Sequence, residues 1–244
     1  MRIAAISDIH GNRFALEAVL EDIATRNVDV TVNLGDILSG PLDPVGTATV
    51  LMPLKLPTVR GNHERQVLHD PQEKLGKTDA FTRGVLTVTE RDWIASLPQT
   101  LPLSDEVFLC HGTPSSDLVY FMERIDGDRT RPADLATVDR RAGDCRAALI
   151  LCGHTHVPRS LRLSDGRLVV NPGSVGLQAY DDREPSPHSV EVGSPHARYA
   201  VIEKRRHGWR AEHIEVDYDW QAASRQAASH GREDWARRLL TGWA

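Results

Sequence analysis

Clusters of histidine, aspartate and asparagine are the part of this sequence best equipped for chemistry. They occupy five places in the first two-thirds of the chain: Asp8 with His10, Asp36, Asn62 with His63, His111, and His154 with His156. Their side chains offer carboxylate, imidazole and amide oxygen but no thiolate, a set that suits Mn²⁺, Fe, Co or Zn²⁺ better than an iron–sulfur cluster. One ion cannot use so many ligands, whereas two ions sharing Asp36 could.

Short strands must position these clusters. Apolar runs too short for helices precede them and predict buried strands at residues 2–7, 28–34, 58–59, 107–110 and 147–152. An amphipathic helix ending near Asn27 lies between the first two runs, which predicts a parallel strand pair with a right-handed crossover. Because ligands bind beyond the carboxyl ends of parallel strands, the five clusters should converge on one rim.

Local spacing favours the same convergence. Asp8 and His10 are two residues apart, as are His154 and His156, which keeps each pair on one side of an extended segment. A glycine beside each cluster removes the Cβ where the backbone must turn sharply or approach an ion. These glycines are Gly11, Gly35, Gly61, Gly112 and Gly153.

The other segments carry weaker signals. Helices are expected over residues 44–51 and 133–146, and residues 70–105 are expected to be helical and looped, with a capping box at Thr89–Asp92. Residues 115–132 and 181–196 are predicted to be loops, the second one exposed. Hairpins are predicted around residues 164–166 and 207–208, followed by a terminal helix from about Asp219. No repeat or linker interrupts the chain, so residues 1–244 are interpreted as a single domain.

Composition and charge restrict the functional classes. The chain is 40% hydrophobic and 26% charged, and its 29 Lys and Arg against 34 Asp and Glu give a net charge of −5, which argues against a broad nucleic-acid-binding surface. No run approaches the roughly 18 apolar residues of a membrane helix. Asp8 interrupts the first apolar run before a signal peptide could form. Three cysteines without a C-x-x-C pair argue against a disulfide framework. The sequence therefore predicts a cytoplasmic protein.

The order of the clusters resembles that of the calcineurin-like metallophosphoesterase superfamily. Asp-x-His, Gly-Asp, Gly-Asn-His-Glu, His and Gly-His-x-His follow one another between Asp8 and His156, and Asn171–Gly176 adds a further match. Each motif alone is a weak signal, but five in this order, each after a strand-like run, are a strong one. The resemblance implies an α/β fold, a sandwich of two mixed β-sheets flanked by helices, with a metal site at the carboxyl ends of the strands.

The resemblance also implies roles for the matching residues. One metal would be held by Asp8, His10, His156 and a bridging Asp36, and the second by the same Asp36 with Asn62, His111 and His154. Two ions (Mn, Fe or Zn) would polarise phosphoryl oxygens and supply a hydroxide that attacks phosphorus. His63 would assist the leaving group, and Asn12 would contact the substrate phosphate. The implied activity is hydrolysis of small phosphodiesters or phosphomonoesters.

Differences between this chain and the superfamily motifs indicate which branch of the superfamily it resembles most. In the Ser/Thr protein phosphatases the second motif continues with an Asp that orients the catalytic His and an Arg that clamps phosphate, and Gly35–Gly40 contains neither. Protein phosphatase activity is therefore disfavoured, and His63 is expected to lack carboxylate support. The small bacterial phosphodiesterases share Asp-Ile-His-Gly-Asn at the start and Asn-Pro-Gly-Ser after the last histidine pair, as this chain does.

Three alternatives stay open. A dinucleoside polyphosphate hydrolase and a nuclease of the same superfamily share the motifs, although the acidic balance disfavours the nuclease. The alternative of another class is a scaffold that kept the fold and lost catalysis, as a retromer subunit of eukaryotes did. The expected partner is a small phosphoester, with neither nucleic acid nor membrane.

Residues outside the motifs are interpreted as structural. This holds for His69, His188, His196, His207, His213 and His230. Cys110 and Cys152 continue apolar strands and are expected to be buried, inert thiols. The terminal Trp and Leu residues are expected to pack in the core, although Trp243 could serve a contact between copies of the chain in a homo-oligomer.

Overall fold

Strand β1 (Arg2–Ile6) lies inside a four-stranded sheet in the computed structural model, which describes residues 1–244. It pairs in parallel with β2 (Val30–Asn33), and helix α1 (Arg13–Ala24) makes the predicted crossover. On its other side it pairs antiparallel with β12 (Ala197–Arg205), which forms a hairpin with β13 (Gly208–Val216). The sheet order is β13-β12-β1-β2.

The second sheet comes from the middle of the chain. Its strands are β3 (Leu101–Ser104), β4 (Val107–Leu109), β7 (Leu149–Leu151), β8 (Arg159–Arg162) and β9 (Leu168–Asn171), in the order β3-β4-β7-β9-β8. Strands β4, β7 and β9 are parallel, and β3 and β8 form antiparallel edges. Both sheets are therefore mixed.

The two sheets pack face to face through one apolar cluster, which contains Ile3, Val32, Leu109, Leu151 and Val170. Helices α1, α2 (Pro44–Leu51), α3 (Asn62–His69) and α5 (Val88–Ser96) cover the outer face of the first sheet. Helix α6 (Leu135–Ala142) covers the second sheet, and α4 (Lys77–Val85) lies against α3. This is the predicted α/β sandwich of two mixed sheets flanked by helices.

A third sheet shows that two predictions are wrong. Strands β5 (Glu123–Asp126) and β6 (Arg129–Pro132) form a hairpin within the predicted loop 115–132. Strands β10 (Ala179–Asp182) and β11 (His188–Glu191) form another within the predicted loop 181–196, and β11 pairs with β6. These strands are short and polar, so their pairing partners rather than local preference make them strands. A smaller correction is that the capping box of α5 joins Thr87 to Glu90 rather than Thr89 to Asp92.

The C-terminal segment forms two helices where one is predicted. Asp219 caps α7 (Trp220–Ser229), and Gly231, with a φ of +71°, separates it from α8 (Glu233–Thr241). The two helices contribute to an apolar cluster that contains Leu42, Leu177, Trp235 and Leu239. The predicted core packing is confirmed for Trp235 and Leu239, whereas Leu240 is 44% exposed. Trp243 is 52% exposed. None of the helices is both long and apolar enough to cross a membrane.

Candidate metal centre

The loops that follow the strands bring all seven predicted metal-binding side chains to one place. Asp8 and His10 follow β1, Asp36 follows β2, Asn62 begins α3, His111 follows β4, and His154 and His156 follow β7. Backbone hydrogen bonds join these loops. The N–H of Asp8 donates to the main-chain oxygen of Gly35, and the N–H of His10 to that of Asp36, both at 3.0 Å. The N–H of His154 donates to the Asp8 carboxylate. Each of the seven side chains belongs to a residue that is at most 8% exposed.

The side chains form two groups of three. Ligand atoms of Asp8, His10 and His156 lie within 4.8 Å of one another, and so do those of Asp36, His111 and His154. Asn62 adjoins the second group, because its Oδ1 is 3.1 Å from Nε2 of His111. We call these the first and second ligand groups. Their membership follows the sets that the resemblance implies, except that Asp36 belongs to the second group alone. The bridging role of Asp36 stays a prediction.

Backbone carbonyls orient the four histidines of these groups. In each ring, one nitrogen lies 2.6–3.1 Å from a main-chain oxygen; the pairs are His10 with Ser39, His111 with Leu34, His154 with Leu118 and His156 with Leu177. A carbonyl oxygen only accepts, so that nitrogen carries a proton, and the opposite nitrogen keeps a lone pair whenever the ring is neutral. Metal-binding histidines are held in this way, with the second nitrogen donating to a neighbour.

The first ligand group fits a cation. Nε2 of His10 and Nε2 of His156 are 3.1 Å apart, and both carry lone pairs because both Nδ1 atoms donate to carbonyls. Two facing lone pairs repel each other, and a cation bound to both would replace that repulsion by attraction. Oδ1 of Asp8, 3.5 Å from Nε2 of His156, adds negative charge. Imidazole and carboxylate together suit a first-row transition-metal ion.

Five of the seven ligands have left-handed backbone conformations. Their φ values are +55° for Asp8, +52° for His10, +53° for Asp36, +71° for His154 and +58° for His156. This conformation costs a residue other than glycine about 1–2 kcal/mol, and such outliers concentrate at binding sites. Close packing also explains Gly61, where a Cβ would lie 2.1 Å from Oδ1 of Asp36.

Burial keeps three of the histidines neutral. It lowers the pKa of His10 and of His154 to about 4, and that of His156 well below its usual value. Burial also lowers the pKa of His111, but the Asp36 carboxylate outweighs burial and raises that pKa to about 9. Burial raises the pKa of Asp8 to about 7. Most of the nitrogen donors are thus unprotonated at neutral pH, as metal binding requires.

His63 lies beside the two ligand groups. Its ring centre is 5.4 Å from that of His10, and its backbone N–H donates to Oδ1 of Asp36 at 3.0 Å. Its Nδ1 is 2.8 Å from Oδ1 of Asp79 on α4. The expectation that His63 lacks carboxylate support is therefore wrong. Burial lowers the pKa of His63, but Asp79 and Asp36 outweigh it and raise the pKa to about 10.

Glu64 is a further residue whose role the motifs do not reveal. Its carboxylate accepts from the backbone N–H groups of Asp36 at 2.9 Å, Ile37 at 2.7 Å and Gly61 at 2.8 Å. It thereby joins the start of α3 to the loop that carries Asp36. Glu64 stands at the third position of α3, where a glutamate accepts from the N–H of the N-cap residue, and this spacing could have indicated its bond to Gly61. No local pattern marks Asp79.

Asn12 is occupied by structural hydrogen bonds. Its amide nitrogen donates to the oxygen of Gly176 at 2.9 Å and to the Tyr218 hydroxyl at 3.3 Å. Its Oδ1 accepts from the N–H of Ala15 at 3.2 Å, as the N-cap of α1. The residue is completely buried. No donor is left for a phosphate, so the predicted substrate contact is corrected to a structural one.

Histidines outside the motifs belong to neither ligand group. His188 is linked to the second ligand group by Tyr120. Nε2 of His188 is 2.8 Å from the Tyr120 hydroxyl, and the Tyr120 ring centre is 5.1 Å from that of His154. Cys110 and Cys152 are buried, and burial raises the pKa of both thiols. These thiols are therefore protonated and unreactive near neutral pH.

The chain is similar to known proteins. The family model of the calcineurin-like phosphoesterase superfamily domain matches residues 1–192. The crystal structure of a metallophosphoesterase from Sphaerobacter thermophilus is 27% identical, with a TM-score of 0.75, and the match covers 99% of this chain and 100% of that one. An uncharacterized protein from Methanocaldococcus jannaschii is 26% identical over 98% of both chains.

Proposed function

Because the chain belongs to the calcineurin-like phosphoesterase superfamily, we propose that it hydrolyses small phosphodiesters or phosphomonoesters with two transition-metal ions, Mn, Fe or Zn. The observation that carries the proposal is the pair of buried three-residue ligand groups, assembled from separate loops. Their oriented lone pairs and carboxylates are suited to cations and to little else.

Each part of the centre has a task in this reaction. The first ligand group would hold one ion, and the second, with Asn62, would hold the other. Bound ions would polarise the phosphoryl oxygens and lower the pKa of water. As the oxygen of water bonds to phosphorus, the bond to the leaving oxygen breaks and its electron pair stays on that oxygen. His63 donates a proton to the leaving oxygen, so that an alcohol departs.

Two observations bear on the alternatives. The complete set of seven ligands counts against a scaffold without catalysis. The net charge of −5 counts against a nuclease, which needs positive charge to hold the phosphate backbone.

Hydrolysis of aryl phosphate esters before and after metal removal tests the proposal. Protein stripped with a chelator should lose activity and regain it with Mn²⁺. Asp36→Ala and His111→Ala should each lower kcat/KM by at least about 100-fold, since each removes a ligand. His207→Ala is the matched control, because that exposed histidine lies in the turn between β12 and β13.

The outcomes separate the candidates. Unchanged activity of Asp36→Ala would contradict the proposed centre. A wild-type protein that binds metal but hydrolyses no ester would favour the scaffold. Cleavage of DNA, with binding at low salt, would favour the nuclease.

A further inference from the structure

The carboxylate of Asp79 contacts the ring of His63 and orients it. We propose that Asp79 is a positioning residue for His63, and that the pair adapts the centre to esters of alcohols rather than to phosphoanhydrides. This inference rests on the proposed function and selects a substrate class within it.

The Asp79 carboxylate is buried and has two side-chain donors. Its Oδ1 lies 2.8 Å from Nδ1 of His63 and 2.5 Å from Oγ of Ser39. The backbone oxygen of Ser39 accepts from Nδ1 of His10 at 2.8 Å. Ser39 therefore connects the orientation of a histidine in the first ligand group with that of the His63–Asp79 pair. The carboxylate cannot turn away without losing both bonds.

Helix α4, which carries Asp79, is anchored at two points. Toward its C-terminal end, Oγ1 of Thr82 accepts from the N–H of Gly40 at 3.2 Å, which joins α4 to the loop after β2. At its first turn, Oγ1 of Thr78 accepts from the guanidinium of Arg232 at 2.9 Å, which joins α4 to the C-terminal helices. Asp79 is thus held from both sides, and it holds His63 in turn.

His63 keeps one ring nitrogen that is not bonded to Asp79, and its side chain is partly exposed. With Nδ1 bonded to Asp79, Nε2 is the nitrogen left for a substrate. The His63 side chain is 28% exposed, whereas the ligand residues are at most 8% exposed. His63 is therefore the group that an entering substrate can meet.

This geometry matters most for a leaving group that needs a proton. When the P–O bond of an alcohol ester breaks, the electron pair stays on the alcohol oxygen, and Nε2 of His63 supplies the proton that makes it a neutral alcohol. The attacking water loses one proton to solvent and His63 regains one from solvent, so ester and water give alcohol and phosphate. The leaving group of a phosphoanhydride is itself a phosphate, stable as an anion, and needs no such proton.

Asp79→Asn tests the inference on dinitrophenyl, nitrophenyl and phenyl esters, an alkyl ester and a dinucleoside polyphosphate. Asparagine keeps the shape but removes the charge that aligns His63. We expect kcat/KM to fall by about 100-fold for the alkyl ester, by less as the leaving group improves, and hardly at all for the dinitrophenyl ester and the anhydride. Ser39→Ala should give the same trend with a smaller amplitude.

Asp22→Asn is the matched control, because Asp22 also accepts from two side chains, those of Arg26 and Tyr199, but lies on α1. It should leave the dependence on leaving group unchanged. Metal content of Asp79→Asn should stay at the wild-type level. The ¹⁵N NMR signals of the His63 ring should shift, because Nδ1 loses its preference for the proton.

Two results would overturn the inference and leave the proposed function standing: an equal loss on every substrate, or no loss on the alkyl ester. If Asp79→Asn does not fold, Ser39→Ala provides the same comparison. Absence of metal-dependent hydrolysis in the wild type would overturn the proposed function itself.

Discussion

At the scale of single residues, the centre depends on what holds each ligand as much as on the ligands. Main-chain oxygens fix four imidazole rings, and five ligand residues are kept in left-handed conformations by the loops around them. Because the partners are backbone atoms, the orientation of the rings follows from the path of the chain. The protonation of His111 and Asp8, by contrast, depends on neighbouring charge.

Metal loading should therefore release protons. The pKa of His111 is raised to about 9, so this ring is protonated at neutral pH without metal, and it must lose that proton to bind an ion. Asp8, whose pKa is about 7, should release a further fraction of a proton when the metal binds. Calorimetry of Mn²⁺ binding at pH 7 in buffers of different ionisation enthalpy should report about one proton or more. The release should decline, and the affinity rise, as the pH passes 9. A binding heat independent of the buffer would contradict this.

The order of the motifs was sufficient to predict that these seven side chains lie together, because most of them follow recognisable strands. That they bind metal stays a prediction. Asp79 could not be predicted in the same way. It reaches His63 from a helix 16 residues further along the chain, and only the packing of α4 beside α3 brings the two together. Asn12 shows the opposite case. Its position in a motif suggested a phosphate contact, but its acceptor caps α1 and its donors bond to the Gly176 oxygen and the Tyr218 hydroxyl.

At the scale of elements, the N-terminus of α3 connects this helix to the loop that carries Asp36. Gly61 and Glu64 bring the helix against the loop of Asp36, and Asn62 and His63 stand in the first turn. A change in this cap should therefore alter the metal centre as well as the stability of the helix.

Glu64→Gln tests this connection between α3 and the loop of Asp36. Glutamine replaces one acceptor oxygen by an NH₂ group, which then faces a backbone N–H. We expect the free energy of unfolding to fall by about 1–3 kcal/mol and metal affinity to fall by about 10–100-fold. Glu90→Gln is the control, since Glu90 makes the corresponding capping box of α5 away from the centre. It should lower stability to a similar degree and leave metal affinity unchanged; an equal effect on affinity would contradict the assigned role of Glu64.

Elements differ in how far the sequence specifies them. The parallel strands of the two large sheets were predictable, because buried parallel strands are continuous apolar runs. Strand β3 was not predicted, since it lies within residues 70–105, which were expected to be helical and looped. Strands β5, β6, β10 and β11 were not, because their polar residues resemble loops until a partner strand supplies the hydrogen bonds. The break at Gly231 was missed because the apolar residues on its two sides continue one helical pattern.

At the scale of the whole molecule, the C-terminal helices close around the centre. The Trp235 ring lies edge-on to the His10 ring, with centres 6.0 Å apart, and Arg232 reaches the helix that carries Asp79. Both residues lie beyond residue 192, where the match to the superfamily domain ends. A segment outside the match to the domain thus forms part of the wall of the centre.

Trp235→Ala should affect both stability and metal binding. Trp235 is 4% exposed, and its removal leaves a cavity beside His10, so the free energy of unfolding should fall by about 3–5 kcal/mol. Affinity for the first metal should weaken because His10 gains freedom. The Trp243 ring is half exposed, so in Trp243→Ala the free energy of unfolding should fall by no more than about 1 kcal/mol, and metal binding should not change. Denaturant unfolding and calorimetry measure the two quantities, and equal effects of both variants would contradict this role for the C-terminal helices.

The central claim is that two cations occupy the two ligand groups. Crystals of the Mn²⁺-loaded protein, measured at the manganese absorption edge, test it directly. We expect two anomalous peaks, one among Asp8, His10 and His156 and the other among Asp36, His111 and His154. A single peak, or peaks elsewhere with these side chains free of metal, would contradict it.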